Sequence, residues 1–233
     1  MNDKQPGTSP VLDRILNVCG IAAPTVFIAA VVVAGALHPN YSHMSQPISA
    51  LAAREAPRRD LMTYAGMIPS GALTMLFSVA VIRRGRGNPG AVWSGALLTM
   101  IGAARIAAGL FPCDPGCCGY VSVSAKLHFL CAVTSLSAGS TSPLAMAFGL
   151  RSRRPGGLFA VSLAFGLCAF TALGVLNLSR HWTTLTPYVG LIQRVLVGIT
   201  FTWMILLVVR GSSFAATARS AGRRGSGRRT DRP

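Results

Sequence analysis

The chain reads as an all-α polytopic membrane protein, a bundle of six transmembrane helices with both termini cytoplasmic. Three observations predict this. Six apolar runs, each long enough to cross a bilayer, divide the sequence. Hydrophobic residues make up 51% of the 233 positions against 12% charged, and the mean hydropathy is +0.50. The arginines between the runs gather in alternate connections.

The runs are Leu16–Leu37, Leu61–Ile82, Ala91–Phe111, Leu127–Leu150, Gly157–Leu178 and Tyr188–Val209. About 20 residues at a rise of about 1.5 Å match a hydrocarbon core of roughly 30 Å. Helices satisfy their own backbone hydrogen bonds in lipid, so each run is read as a helix. The first is too long for a signal-peptide core and no small-residue cleavage pattern stands out after it, so it is read as retained. Pro24, Pro69 and Pro143 are expected to kink or loosen their helices. Trp93, Tyr188 and Trp182, near span ends, suit interfacial anchors. The serines and Thr141 between Ser135 and Ser142 can bond back to the backbone or across to a neighbour. The domain plan is a short cytoplasmic lead over residues 1–15, a transmembrane domain over 16–209 and an unordered, Arg-rich cytoplasmic tail over 210–233. The spans consume the chain, so no second soluble domain fits.

The formal net charge of +16 resembles a nucleic-acid signature, but its placement argues for topology instead. With the N-terminus inside, the cytoplasmic connections carry Arg83, Arg84, Arg86, Arg151, Arg153 and Arg154. The tail adds Arg210, Arg219, Arg223, Arg224, Arg228, Arg229 and Arg232. The opposite connections hold only Arg54, Arg58, Arg59, Lys126 and Arg180 among the cations, with Glu55, Asp60 and Asp114 beside them. This is the positive-inside bias expected of an inner (plasma) membrane protein. The tail from Ser213 is rich in Arg, Ser and Gly and is expected to be unordered, apposed to anionic lipid. Without interleaved aromatics it offers no stacking platform, which excludes nucleic acid as a partner. Membrane lipids remain, with an anionic lipid of the outer leaflet the favoured one.

The informative residues stand against the apolar grain. Arg105 lies six residues before Phe111, and Arg194 six residues after Tyr188. Both therefore sit roughly 9 Å below the outer boundary. A guanidinium at mid-helix costs about 2.5–3.5 kcal/mol on insertion scales, so such a residue usually faces the bundle interior; snorkelling to the headgroups is the alternative. The outer connections supply Asp114, His128, His43 and Ser49. The sequence therefore predicts one outward-facing pocket of Arg105, Asp114, His128 and Arg194, with His43 and Ser49 nearby. The two arginines exceed Asp114 by one charge, which leaves room for an anion held by Arg's two-pronged geometry.

The run Tyr41-Ser42-His43-x-Ser45-x-x-Ile48-Ser49-x-Leu51 resembles the signature of the DUF998 family of bacterial and archaeal multipass membrane proteins. Arg105-x5-Phe111-Pro112-x-Asp114, then His128, then Gln193-Arg194 are similar to that family's later polar positions. The resemblance spans nearly all of Leu16 to Val209. It implies a six-helix bundle and, by the family's name, no assigned function or catalytic residue.

Cys113, Cys117 and Cys118 fall on the oxidising side, which permits a disulfide from Cys113 to Cys117 or to Cys118. A vicinal Cys117–Cys118 bond is geometrically strained. A metal held by Cys113, Asp114, Cys118 and His128 or His43 is chemically allowed, but the spacing matches no recognised zinc pattern, so no metal and no cofactor is assigned. Cys19, Cys131 and Cys168 read as small core residues.

Three functions fit these residues. The pocket binds an anionic lipid headgroup or small anion, as a sensor, accessory subunit or transporter component. Alternatively the protein is an intramembrane hydrolase acting on a lipid, with His43 or His128 as base, Asp114 orienting it or binding metal, and the arginines clamping a phosphate or oxyanion. In the third, the polar cluster is only a brace between helices. No nucleophile elbow, zinc-protease helix or phosphate-cradling glycine loop supports the enzyme. No paired broken helices or repeat halves support a secondary transporter.

Overall fold

The structure, a computed structural model, describes residues 10–117, 119–151, 157–179 and 181–226, the stretch 211–226 by its backbone alone. The lead before Pro10, Cys118, Arg153, Arg154, Arg180 and the tail from residue 227 lie outside the described residues. Among the described residues all regular structure is helical, and six helices are long and apolar enough to cross a membrane. They are α1 (Pro10–Ala36), α2 (Ile68–Arg84, preceded without a break by a π-helical segment, Leu61–Met67), α3 (Pro89–Leu110), α4 (Val123–Leu150), α5 (Gly157–Leu178) and α6 (Val189–Ser226).

The bounds differ from hydropathy where capping decides them. α1 starts at Pro10, not Leu16: proline suits a first helical position, and Asp13 lies in the first turn, where the helix dipole favours an acid. α4 starts at Val123, not Leu127, because the Ser122 hydroxyl accepts the Ala125 amide at 3.1 Å. Asn88 caps α3 by accepting the Ala91 amide at 3.3 Å, and its own amide group donates to the Gly149 carbonyl at 2.9 Å, tying α3 to α4. α6 runs on to Ser226, where composition predicts an unordered tail from residue 210. The stretch Ser213–Ala221 is rich in alanine and free of proline, so nothing in it breaks a helix already propagating.

Pro69 explains the π segment. It has no amide hydrogen to give the Ala65 carbonyl, and its ring crowds that carbonyl, so the preceding turns open. The expected loosening at Pro69 is therefore a wide turn that carries Met62 and Met67 into the bundle.

The helices form a ring in chain order, closed by α6 packing on α1 and also touching α4. Small residues let the backbones meet. A Cβ placed on Gly71 would lie 2.6 Å from the Gly102 carbonyl, so α2 and α3 touch directly. The Ser94 and Ser142 hydroxyls meet at 3.0 Å across α3 and α4. Trp203 of α6 is fully buried and donates its indole N–H to the Ser162 hydroxyl at 3.1 Å. Large apolar side chains such as Ile28, Val32, Trp93, Leu167 and Phe170 face outward, as a lipid-facing surface requires. The α1–α2, α3–α4 and α5–α6 connections meet at one end, hereafter the long-loop end: the Arg54 amide donates to the Cys113 carbonyl at 3.0 Å and the Leu191 amide to that of Met44 at 2.9 Å.

Candidate functional site

Below the long-loop end lies a cavity of about 80 Å³. Its walls come from α1 (Phe27), the 48–52 turn (Ser49), the π segment (Met62, Met67), α3 (Arg105), α4 (His128, Ser135) and α6 (Gln193, Phe201). The lining is mostly apolar, so the few polar groups in it stand out.

Arg105 is the strongest of them, and it is only 8% exposed. Its Nη1 donates to the Ser70 hydroxyl at 2.8 Å and more weakly to that of Thr74 at 3.4 Å. Thr74 spends its own hydrogen on the Ser70 carbonyl at 2.8 Å, which leaves its oxygen free to accept. The rings of Phe27 and Phe201 flank the guanidinium, each with its centroid 4.9 Å from Cζ. Each such contact is worth about 1–2 kcal/mol, more as it is desolvated. No acid joins them: among the described residues the only ion pair is Arg83–Asp13, at 3.7 Å. Among the described residues the remaining guanidinium N–H groups have no acceptor, on a side chain that lines the cavity.

His128 forms the wall nearer the loops and is 4% exposed. Its Nδ1 donates to the carbonyls of Ala108 at 2.8 Å and Phe111 at 2.9 Å, satisfying the exposed end of α3. Two carbonyl acceptors place a hydrogen on Nδ1, so in the neutral ring Nε2 carries the lone pair. Beside it Cys113 and Cys117 form a disulfide with Cα atoms 5.3 Å apart. A ring nitrogen of His128 and both sulfurs lie within 4.8 Å of one another. The turn closes through left-handed backbone at Gly116 (φ 66°) and Cys117 (φ 54°), a conformation that costs little only at the glycine.

Asp114 is turned away from the cavity. Its Oδ2 accepts the amides of Val121 at 3.0 Å and Ser122 at 3.1 Å, at the start of α4. Hydrogen bonds from Ser122, then that of Val121 and the charge of Arg54, hold its carboxyl below the usual range. Free amides at a helix start attract a carboxylate as a cation would.

Arg194 also finds partners elsewhere. Nη1 donates to the carbonyls of Gln46 at 3.0 Å and Gly190 at 2.8 Å, and Nη2 to the Tyr41 hydroxyl. Next to it, Gln193 accepts the Ile48 amide at 2.7 Å. Tyr41 in turn donates to the Pro47 carbonyl at 3.0 Å. These bonds clasp the 41–48 loop to the first turns of α6. His43 packs edge-on to Tyr41 at 5.1 Å and covers Gly35, where a Cβ would come within 2.6 Å of its ring. Partial burial and then the Arg194 charge hold the His43 imidazole below its ordinary pKa.

The structure thus brings Arg105, His128 and Ser49 onto one cavity, and gives Asp114 and Arg194 to other partners. The reason is shared by both: backbone amides and carbonyls at helix ends and in the loop reach them first. Of the metal-ligand candidates, Cys113 and His128 come together, joined by Cys117; Asp114 is not among them, and Cys118 lies outside the described residues. Phe27, Phe201, Ser70 and Thr74 carry no mark in the sequence beyond the four-residue spacing of the two hydroxyls on one helix face.

A family model described as a protein of unknown function (DUF998) matches residues 21–210. No curated protein and no solved structure matches the chain. The matched span runs through all six helices and holds the clasp, the cavity and the disulfide. The chain belongs to the DUF998 family of proteins of unknown function.

Proposed function

We propose that this protein binds a small anion at Arg105, as the sensing or accessory element of a membrane assembly or as a transporter component. One observation carries the reading: a guanidinium buried in a membrane bundle, with no carboxylate paired to it among the described residues, lines a cavity. An uncompensated buried charge is costly, and an anion offsets it. The cavity's size selects the ligand. At about 80 Å³ it is well below the ~300 Å³ at which drug-sized ligand pockets begin, so it suits a halide or a one- or two-carbon carboxylate, not a lipid headgroup. An anionic lipid fits the larger basic pocket of about 410 Å³ bordered by Arg54, Arg58, Arg59 and Asp60.

The test is thermal unfolding in neutral detergent across chloride, bromide, nitrate, formate and acetate at fixed ionic strength. A specific anion at 100 times its Kd should add about 2.7 kcal/mol of stability, and Arg105→Leu should lose that increment. Equal responses to all five anions in the wild type would sink the proposal.

A second reading has its own support. Arg105 touches α1 through Phe27, α2 through Ser70 and Thr74, and α6 through Phe201, so it also braces four helices. As a brace alone it would stabilise the bundle by the same amount in every anion. The hydrolase reading has less support, because His128 and Asp114 each bond to backbone and His43 belongs to the clasp.

The arginine bias supports a plasma-membrane topology with both termini in the cytoplasm and the cavity toward the outer side. Cysteines substituted at Arg84 and Glu55 are the check: a membrane-impermeant reagent added to intact cells should label position 55 and spare position 84. The opposite labelling would invert the bundle.

A further inference from the structure

We propose that Cys113, Cys117 and His128 form a metal site in the dithiol state of the protein, one that takes zinc(II) or a similar soft divalent ion. This stands independently of the anion reading. One ring nitrogen of His128 and the two sulfurs already lie within 4.8 Å of one another. A tetrahedral ion with sulfur at about 2.3 Å and nitrogen at about 2.0 Å needs its donors roughly 3.3–3.8 Å apart. Side-chain rotation alone supplies the difference, because the Cα atoms of the two cysteines stand 5.3 Å apart.

The surroundings favour an ion as well. Cys113 is 1% exposed and His128 4%, so bulk water competes little for the ligands. His128 gives its Nδ1 hydrogen to two backbone carbonyls, which fixes the ring and leaves Nε2 as the donor atom. Backbone-held imidazoles of this kind are the usual outer support of a metal-binding histidine. Three protein ligands leave a fourth position for water. Two thiolates and an imidazole select zinc over magnesium or calcium.

The two states of the cysteines exclude each other. The dithiol binds one divalent ion and releases two protons. Oxidation by a disulfide-bearing partner instead removes two electrons and two protons from the same sulfurs, closes the Cys113–Cys117 bond and reduces the partner to its dithiol. The ion leaves as its thiolate ligands are consumed. The site therefore reports the redox state of its surroundings.

The experiment uses the full chain with Cys19, Cys118, Cys131 and Cys168 replaced by alanine, reduced with a water-soluble phosphine and titrated with cobalt(II). One equivalent should bind, with intense thiolate-to-cobalt absorption that zinc then abolishes. The air-oxidised form of the same preparation should bind none. His128→Gln should weaken cobalt at least tenfold, and Cys113→Ser with Cys117→Ser should eliminate the absorption. Failure of the reduced protein to bind a single equivalent, or equal binding before and after oxidation, would overturn the site. That comparison needs no variant of the three ligands to fold. Undiminished binding in His128→Gln would overturn it too.

Discussion

Arg105 and Arg194 are two copies of one problem with two solutions. Both are guanidiniums on membrane-spanning helices. Arg194 is held by two carbonyls and a phenol, with only its Nε left without a partner. Arg105 has two hydroxyls, two aromatic faces and a cavity. Full-strength acceptors make an arginine a rivet. An arginine given only weak, neutral ones keeps an unspent capacity to bind, and that capacity is what a ligand site requires. The chemistry of the partners separates the two cases.

The comparison breaks most visibly at the rivet. Arg194→Leu removes the charged donors of the Gln46 carbonyl and the Tyr41 hydroxyl and loosens the 41–48 loop, which the Gln193–Ile48 and Leu191–Met44 bonds still tie to α6. Hydrogen bonds to a charged donor are worth about 1.5–3 kcal/mol each, so the loss should be about 3 kcal/mol or more, read as a fall in midpoint in detergent unfolding. The fall should be the same in every anion. An anion-dependent deficit in Arg194→Leu would place the ligand at the wrong arginine.

At the cavity a smaller loss with a different signature is expected. Arg105→Leu gives up the Ser70 bond and both ring contacts, several kcal/mol in all, but it also removes a buried charge, so the net loss is about 1–3 kcal/mol. In an anion-free buffer the net cost should be near the low end of that range, and it should grow when the binding anion is added to the wild type. A Leu variant equal to or more stable than the wild type in every buffer would mean that the guanidinium is a burden with no partner. Truncating one flanking ring, Phe27→Leu or Phe201→Leu, should cost about 1 kcal/mol and weaken the anion response only partly. Unchanged stability in both would remove the aromatic cradle from the account.

How far the sequence foretells this contrast depends on what marks a residue. The spans were legible because lipid allows so few alternatives; only their ends moved, at Pro10, Val123 and Ser226, where capping and propensity act and hydropathy is silent. Arg105 and His128 were legible as charge and imidazole on apolar helices. Their neighbours were not, since Phe27, Phe201, Ser70 and Thr74 are ordinary residues of any membrane helix. The expected partnership of Asp114 with the arginines shows the opposite error. Charge counting matched an acid to two bases, but the acid lies on the amides that open α4. Backbone dipoles at helix ends carry no signature in a list of charged residues, and at this end of the bundle they settle both Asp114 and Arg194.

The smallest expected effect sharpens the comparison from the clasp side, through pH. His43 sits beside Arg194 and Tyr41, and its pKa is lowered by partial burial and by the Arg194 charge. A histidine whose folded pKa lies below its unfolded value, about 6.5, contributes stability that is full above 6.5 and lost as pH falls through that value toward the folded pKa. Acidification from pH 7.5 to 5.5 should therefore loosen the clasp slightly, because an imidazolium is forced against a guanidinium. The change should be modest, since His43 is exposed and water screens the repulsion. Hydrogen exchange at the Ile48 and Leu191 amides, which bond across the clasp, is the local readout. Exchange there should quicken at low pH beyond the intrinsic trend in the wild type and follow that trend in His43→Gln, while the Arg105 cavity keeps its anion response. If both regions respond together, the two arginines belong to one cooperative unit, and the division between rivet and site is drawn in the wrong place.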